Sequence, residues 1–152
     1  MITCLTYDSQ ESELNQLKEH MKSCAAYVTD DQWTWEFLEH AEKLKEHIYQ
    51  YTILDLACVD ITKTGIVEEL EAVRKDYKET KVMLIADTSI SPMTYLKPSL
   101  MPTSLLLRPT SEEKIQEVIQ DFFQSYLDEC GVDEKTFSLE TREETMDMQE
   151  DF

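Results

Sequence analysis

The residues of this sequence that are best suited to chemistry are acids and one arginine, each at the end of a short apolar run. Asp8 ends ITCLTYD, Asp60 ends the run that closes with ACVD, and Arg108 with Pro109 ends SLLLRP. Carboxylates bind cations through their oxygens. A guanidinium binds carboxylate or phosphate oxygens through its planar fork. If the fold brings the ends of these runs together, these residues are the candidates for a site there.

The elements that must position these residues alternate between strand-like and helix-like segments. Short apolar runs are typical of strands, and segments with apolar residues at helical spacing separate them. The alternation predicts an α/β fold with a five-stranded parallel sheet covered by helices on both faces, a doubly wound (βα)5 arrangement. Right-handed crossovers bring the carboxyl ends of all strands to one edge, where the sites of such folds lie. The predicted strands are residues 2–8, 33–37, 51–61, 81–87 and 103–109, and the predicted helices are 9–24, 38–50, 65–79 and 110–127, with a proline-broken stretch at 89–102.

Two of the predicted helices carry sequence signals for their first turn. Ser9 or Ser12 can cap the first helix, and Thr110 with Glu113 forms a capping-box pattern for the last one. The spacing of apolar residues carries this last helix to about Leu127.

Two aromatic pairs give predictions about packing. Trp33 and Trp35 lie two residues apart in one strand and therefore point to the same face, which predicts that both pack under a helix. Phe122 and Phe123 are adjacent in the last helix. We expect one of them to lie off the core face, as a candidate for dimer contact.

Composition excludes several classes of function. The chain has 32 acidic residues against 14 Lys and Arg and a net charge of −18, so direct nucleic-acid binding is not expected. Its two glycines, Gly65 and Gly131, are too few for a P-loop or a GxGxxG fingerprint. The cysteine and histidine spacings fit neither zinc binding nor nucleophilic catalysis, and we do not expect an enzyme. The absence of a long apolar stretch and of a signal peptide predicts a cytoplasmic protein without membrane contact.

The strand ends resemble the phosphorylation site of the receiver domain of two-component response regulators, a CheY-like fold of the flavodoxin type. The resemblance covers roughly residues 1–127. In that family an acidic pair after the first strand helps to bind magnesium, and an aspartate after the third strand accepts a phosphoryl group. Asp8 matches the second acid, Tyr7 stands in the place of the first, and Asp60 matches the phosphoacceptor. The resemblance implies a metal site at Asp8 and Asp60, with weak Mg²⁺ binding because Tyr7 supplies no carboxylate.

Two further positions of the family pattern differ here. The family has Thr or Ser after the fourth strand and Lys followed by Pro after the fifth. In this chain Ala86 occupies the switch position, and Arg108 takes the place of the lysine as the candidate for phosphate contact. Pro109 is retained, and its peptide bond is commonly cis in receivers. Arginine prefers bidentate contact and Ala86 has no hydroxyl, so we expect weak phosphorylation of Asp60 or none.

The resemblance implies a signalling module at residues 1–129. Such a receiver meets a sensor histidine kinase, forms a homodimer, and controls transcription through a DNA-binding domain that this chain lacks. One alternative is a small flavodoxin-like domain that binds flavin or acts as an enzyme, although SQESEL after the first strand brings two glutamates to the place of a phosphate loop. The other alternative is a protein-interaction domain that keeps the fold without a site.

Residues 130–152 have two interpretations. From residue 128 onward there are ten acids and two bases, and this shift in composition predicts a domain edge near residues 129–133. One interpretation is an acidic linker without fixed structure. The other is the start of a second domain, because the alternating apolar residues predict two short strands that resemble the opening of a LytTR-type DNA-binding domain. These alternating residues are Phe137, Leu139, Met146 and Met148.

Overall fold

The protein is a five-stranded parallel sheet with helices on both faces, as the sequence predicted. The computed structural model describes residues 1–142, and the side chains of residues 1–130. The strand order is β2-β1-β3-β4-β5, the doubly wound order in which the second strand lies outside the first. The elements are β1 (Ile2–Tyr7), α1 (Glu11–Val28), β2 (Trp33–Leu38), α2 (Leu44–Tyr49), β3 (Leu56–Asp60), α3 (Ile66–Arg74), β4 (Lys81–Asp87), α4 (Pro92–Tyr95), β5 (Ser104–Arg108) and α5 (Glu112–Arg142).

Two hydrophobic cores lie on opposite faces of this sheet. Successive residues of a strand point to opposite faces, so Ala57 and Val59 of β3 join the core under α2 and α3, while Cys58 joins the core under α1 and α5. The strands β3 and β4 are apolar at nearly every position because both of their faces are buried. Within residues 1–142, no helix is both long and apolar enough to cross a membrane.

The tryptophan pair of β2 packs under a helix, as predicted. The rings of Trp33 and Trp35 stack with centroids 4.8 Å apart, and Phe123 of α5 lies 4.9 Å from Trp33. The prediction that one phenylalanine of α5 lies off the core was wrong, because Phe122 and Phe123 are both fully buried. The helix contacts the sheet on one side and α1 on another, and it therefore buries a wider arc than a helix that touches a sheet alone.

Both predicted caps are replaced by neighbouring residues. Gln10 is the N-cap of α1 without a side-chain hydrogen bond, because the hydroxyl of Ser9 donates instead to Asp60. At the start of α5, the hydroxyl of Ser111, and not that of Thr110, accepts a hydrogen bond from the Lys114 amide.

The last helix is longer than the sequence predicted. It continues from Glu112 through Leu127 to Arg142, so Phe137 and Leu139 lie in a helix and the strand predicted there was wrong. The second predicted strand, at Met146 and Met148, lies outside the described residues. The domain edge near residue 129 stays a prediction.

The connection from α4 to β5 is held by a buried arginine. Arg74, at the end of α3, donates hydrogen bonds to the carbonyls of Tyr77, Thr80, Leu100 and Met101 at distances from 2.5 to 3.2 Å. Met101 adopts a left-handed conformation with φ of 47°, which non-glycine residues rarely do. The stretch with three prolines therefore forms one short helical turn followed by a loop that Arg74 ties to α3.

Candidate functional site

The predicted site residues lie at the carboxyl edge of the sheet. Asp8 follows β1, Asp60 ends β3, and Arg108 ends β5 opposite Asp87 of β4. In the sheet, β3 and β4 separate β1 from β5, so the long side chain of Arg108 reaches across two strand ends. The peptide bond between Arg108 and Pro109 is cis, as the resemblance implied.

Arg108 binds Asp8 through two parallel hydrogen bonds. Its Nη1 lies 3.1 Å from Oδ1 of Asp8, and its Nη2 lies 2.5 Å from Oδ2. The Asp8 side chain is fully buried, and that of Arg108 is 11% exposed. The Gln10 amide also donates to Asp8 Oδ1 at 3.1 Å. Both oxygens of the carboxylate are thus engaged inside the protein.

Burial and pairing act in opposite directions on this pair. Burial raises the pKa of the Asp8 carboxyl above its ordinary value, although hydrogen bonds from Arg108 oppose the rise. Burial alone lowers the pKa of the Arg108 guanidinium, but the Asp8 carboxylate outweighs it, and the pKa lies above its ordinary value. Glu13 of α1 adds to this effect, with its Oε1 3.5 Å from Arg108 Nε. Since no hydrogen bond forms at that Nε within the described residues, Glu13 contributes through charge.

Asp60 accepts hydrogen bonds from Ser9, which directly follows Asp8, and from Thr62, two residues after Asp60 itself. Ser9 donates to Oδ2 from its amide at 3.0 Å and from its hydroxyl at 2.7 Å. Thr62 donates to Oδ1 from its amide at 2.9 Å and from its hydroxyl at 2.6 Å. Burial raises the pKa of the Asp60 carboxyl, but these four hydrogen bonds together outweigh it and leave the pKa below its ordinary value. With 1% of its surface exposed, Asp60 is a buried carboxylate stabilised by neutral donors.

Neither of the other two positions of the family pattern supplies the group that the family has there. Ala86 is fully buried in the core under α2 and α3. Tyr7 is buried in the same core, and burial together with the charges of Asp60 and Asp8 raises its pKa to about 12. Thr88, two residues after Ala86, instead lines an open cleft of about 470 Å³ beside Arg108 and Pro109.

The donor set does not fit the predicted Mg²⁺ site. The two predicted ligands, Asp8 and Asp60, are engaged by Arg108 and by Ser9 with Thr62. Mg²⁺ demands near-octahedral oxygen coordination and usually keeps several waters. No group of three or more His, Cys, Asp or Glu side chains suited to a metal occurs in the part of the chain that the structure describes.

A larger groove opens at the mouth of the pocket. It has a volume of about 730 Å³ and runs from Tyr7 and Ser9 to Gly65 at the start of α3. Gly65 has φ of 92°, a conformation that favours glycine. Four glutamates of the groove make it acidic; they are Glu11, Glu39, Glu42 and Glu69.

Known proteins are similar to this chain in structure and not detectably in sequence. No model of a protein family matches the sequence, and no curated protein matches it. The chemotaxis response regulator CheY4 of Vibrio cholerae is 18% identical, with a TM-score of 0.59 over 80% of this chain and 98% of that chain. The beryllofluoride-activated NtrC4 receiver domain dimer is 15% identical, with a TM-score of 0.62 over 83% of this chain and 99% of that chain.

The signal receiver domain of an HD domain-containing protein from Pseudomonas fluorescens Pf-5 is 14% identical, with a TM-score of 0.63 over 84% of this chain and 98% of that chain. The chain has the receiver fold. Identities this low show the fold alone, so what the receiver fold does in this chain depends on its own pocket.

The sequence placed Asp8, Asp60 and Arg108 at one edge of the sheet but did not assign Ser9 and Thr62 to the site. Ser9 and Thr62 supply all four hydrogen bonds to Asp60. A signal was available for Thr62, because a residue two positions after an aspartate can donate back to it in a local side-chain turn. Ser9 is 51 positions from Asp60 and had no such local signal. Arg108, the candidate for phosphate contact, is paired with Asp8.

Proposed function

We propose that this chain is a receiver-type signalling domain that transmits its signal through protein contacts and does not use phosphoryl transfer. The observation that carries the proposal is the saturation of Asp60. A carboxylate that accepts four hydrogen bonds from Ser9 and Thr62 at 1% exposure has no free oxygen facing a phosphodonor. Attack on phosphorus would require at least one of those bonds to break.

The remaining parts of the pocket support the same proposal. Arg108 is committed to Asp8, whereas a phosphoryl group needs a cation that is free to contact its oxygens. A buried Ala86 cannot follow an added phosphoryl group by hydrogen bonding, so the usual link from pocket to neighbouring helices is missing. A sensor histidine kinase remains a candidate partner in this proposal, but through its surface and not as a phosphodonor.

The surface around α4 and β5 is the candidate output face. It exposes large apolar side chains: Met93 (80%), Leu96 (57%), Met101 (50%) and Leu107 (44%). These residues belong to consecutive segments at the β5 edge of the sheet, and exposed apolar residues on one surface mark candidate interaction sites. We propose that this face forms the homodimer. Control of transcription would then require a separate DNA-binding domain, because a net charge of −18 disfavours phosphate contact.

The experiment that tests the proposal is incubation with Mg²⁺ and either a small phosphodonor or beryllofluoride. We expect no mass gain of one phosphoryl group and no shift of the Ser9 or Thr62 amide signals in NMR spectra. A typical receiver treated in parallel shows that the reagents are active. A phosphoryl adduct that is lost in Asp60→Asn would overturn the proposal.

A further inference from the structure

We infer that Arg108 is the resident cation of this pocket, and that its guanidinium holds the Asp8 carboxylate in the place of a divalent metal ion. The pocket is therefore complete without Mg²⁺. This inference concerns the pocket itself and holds whether or not the domain signals by protein contact.

The geometry of the pair carries the first step. A planar guanidinium matches a carboxylate with two parallel hydrogen bonds, and Arg108 makes both, at 3.1 and 2.5 Å. A lysine at this position has one compact ammonium group, which leaves a carboxylate oxygen free for another cation. The change from lysine to arginine thus converts Asp8 from an available ligand to an occupied one.

Burial carries the second step. Asp8 is fully buried and does not line the open cleft beside Arg108, so an ion that binds its carboxylate must shed water. A guanidinium is more weakly hydrated than an ammonium and far more weakly than Mg²⁺, and it tolerates such a site better.

Charge balance carries the third step. Tyr7 brings no carboxylate to the pocket, and the charge of Asp60 is stabilised by the neutral donors of Ser9 and Thr62. The charge of Asp8 then matches the single charge of Arg108. Glu13 lies 3.5 Å from Arg108, but its side chain is 36% exposed and its charge is partly solvated. An additional divalent ion would place three cationic charges against the two buried carboxylates, which is unfavourable.

The experiment compares metal binding by the wild-type chain with that by Arg108→Met and by the double variant Asp8→Asn, Arg108→Met. Wild type is titrated with Mn²⁺, and the broadening of the Ser9, Gln10 and Thr62 amide signals is followed by NMR. Thermal unfolding of all three proteins is then measured with and without Mg²⁺, at equal ionic strength so that general screening of this acidic chain cancels.

We expect no selective broadening in wild type and a shift of its Tm by Mg²⁺ of less than about 1 °C. In Arg108→Met, the freed Asp8 should gain metal binding, with Mg²⁺ raising Tm by about 4 °C or more. The double variant should lose this gain.

Selective broadening of the three amide signals in wild type would overturn the inference, and this measurement does not depend on whether a variant folds. A folded Arg108→Met protein without any Mg²⁺ response would also overturn it. Arg108→Lys provides a milder variant, for which we expect a Mg²⁺ response between those of wild type and Arg108→Met.

Discussion

At the scale of single residues, the Asp60 carboxylate is the group whose replacement is most informative. Asparagine at this position keeps one acceptor oxygen and turns a donor toward a hydroxyl or an amide that already donates. We expect Asp60→Asn to lower the free energy of unfolding at neutral pH by roughly 1–3 kcal/mol, because hydrogen bonds to a buried charged acceptor are lost. Urea unfolding measures the change.

The matched control is Asp87→Asn, at the same edge of the sheet. Asp87 is more exposed, and its described hydrogen bonds come from the amide and the hydroxyl of Ser89. We expect a smaller loss there. An Asp60→Asn protein as stable as wild type would mean that the four hydrogen bonds to Asp60 do not stabilise the fold.

The free energies of unfolding of wild type and Asp60→Asn should become similar at low pH. The pKa of Asp60 is lowered in the folded protein, where the hydrogen bonds outweigh burial. A carboxyl with a lowered pKa contributes stability that is present above its unfolded pKa of about 4 and is lost as the pH falls through the folded value. The stability difference should therefore be full at neutral pH and shrink below about pH 4. A stability difference between the two proteins that grows as the pH falls would contradict this prediction.

At the scale of secondary-structure elements, Arg74 joins the end of α3 to the loop before β5. Its replacement by methionine leaves four carbonyls without this donor, and we expect a loss of roughly 2–4 kcal/mol in the free energy of unfolding. Amide hydrogen exchange should accelerate at Leu100 and Met101, which donate to the Lys97 carbonyl, while β3 stays protected. Lys75→Met, the exposed neighbour in sequence, is the control. Equal stability of the two variants would contradict the role given to Arg74.

Elements and site residues differed in how far the sequence could predict them. β4 was predicted at residues 81–87 and found at Lys81–Asp87, because a short run buried on both faces leaves little freedom in its bounds. Helix bounds were less predictable. Residues 39–43 have the same helical spacing as α2, but the helix begins only at Leu44, its first buried residue. The site residues could be placed at one edge by topology alone. The hydrogen-bond partners of these residues could not be predicted, because the Ser9 hydroxyl was equally able to cap α1 or to donate to Asp60. The buried charge of Asp60 favours the second arrangement, which the structure shows.

At the scale of the whole molecule, the output face makes a prediction about association. If the surface around α4 and β5 forms a homodimer, Leu107→Glu should shift sedimentation velocity from dimer to monomer, because it places a charge in an apolar contact. Ile53→Glu is the control, as Ile53 is 71% exposed and lies before β3, away from this face. A wild-type chain that stays monomeric at high concentration, or a Leu107→Glu variant that still dimerises, would rule out this face.

The contact between Asp8 and Arg108 also has a consequence for how the chain assembles. The two residues are 100 positions apart, so the contact closes a loop that contains most of the receiver fold. The first strand cannot neutralise its buried acid until the fifth strand has docked. A nascent chain that has folded only through β4 holds Asp8 without its partner, which penalises the incomplete sheet. The pair thus favours all-or-none folding, because the sheet becomes stable only when β5 docks.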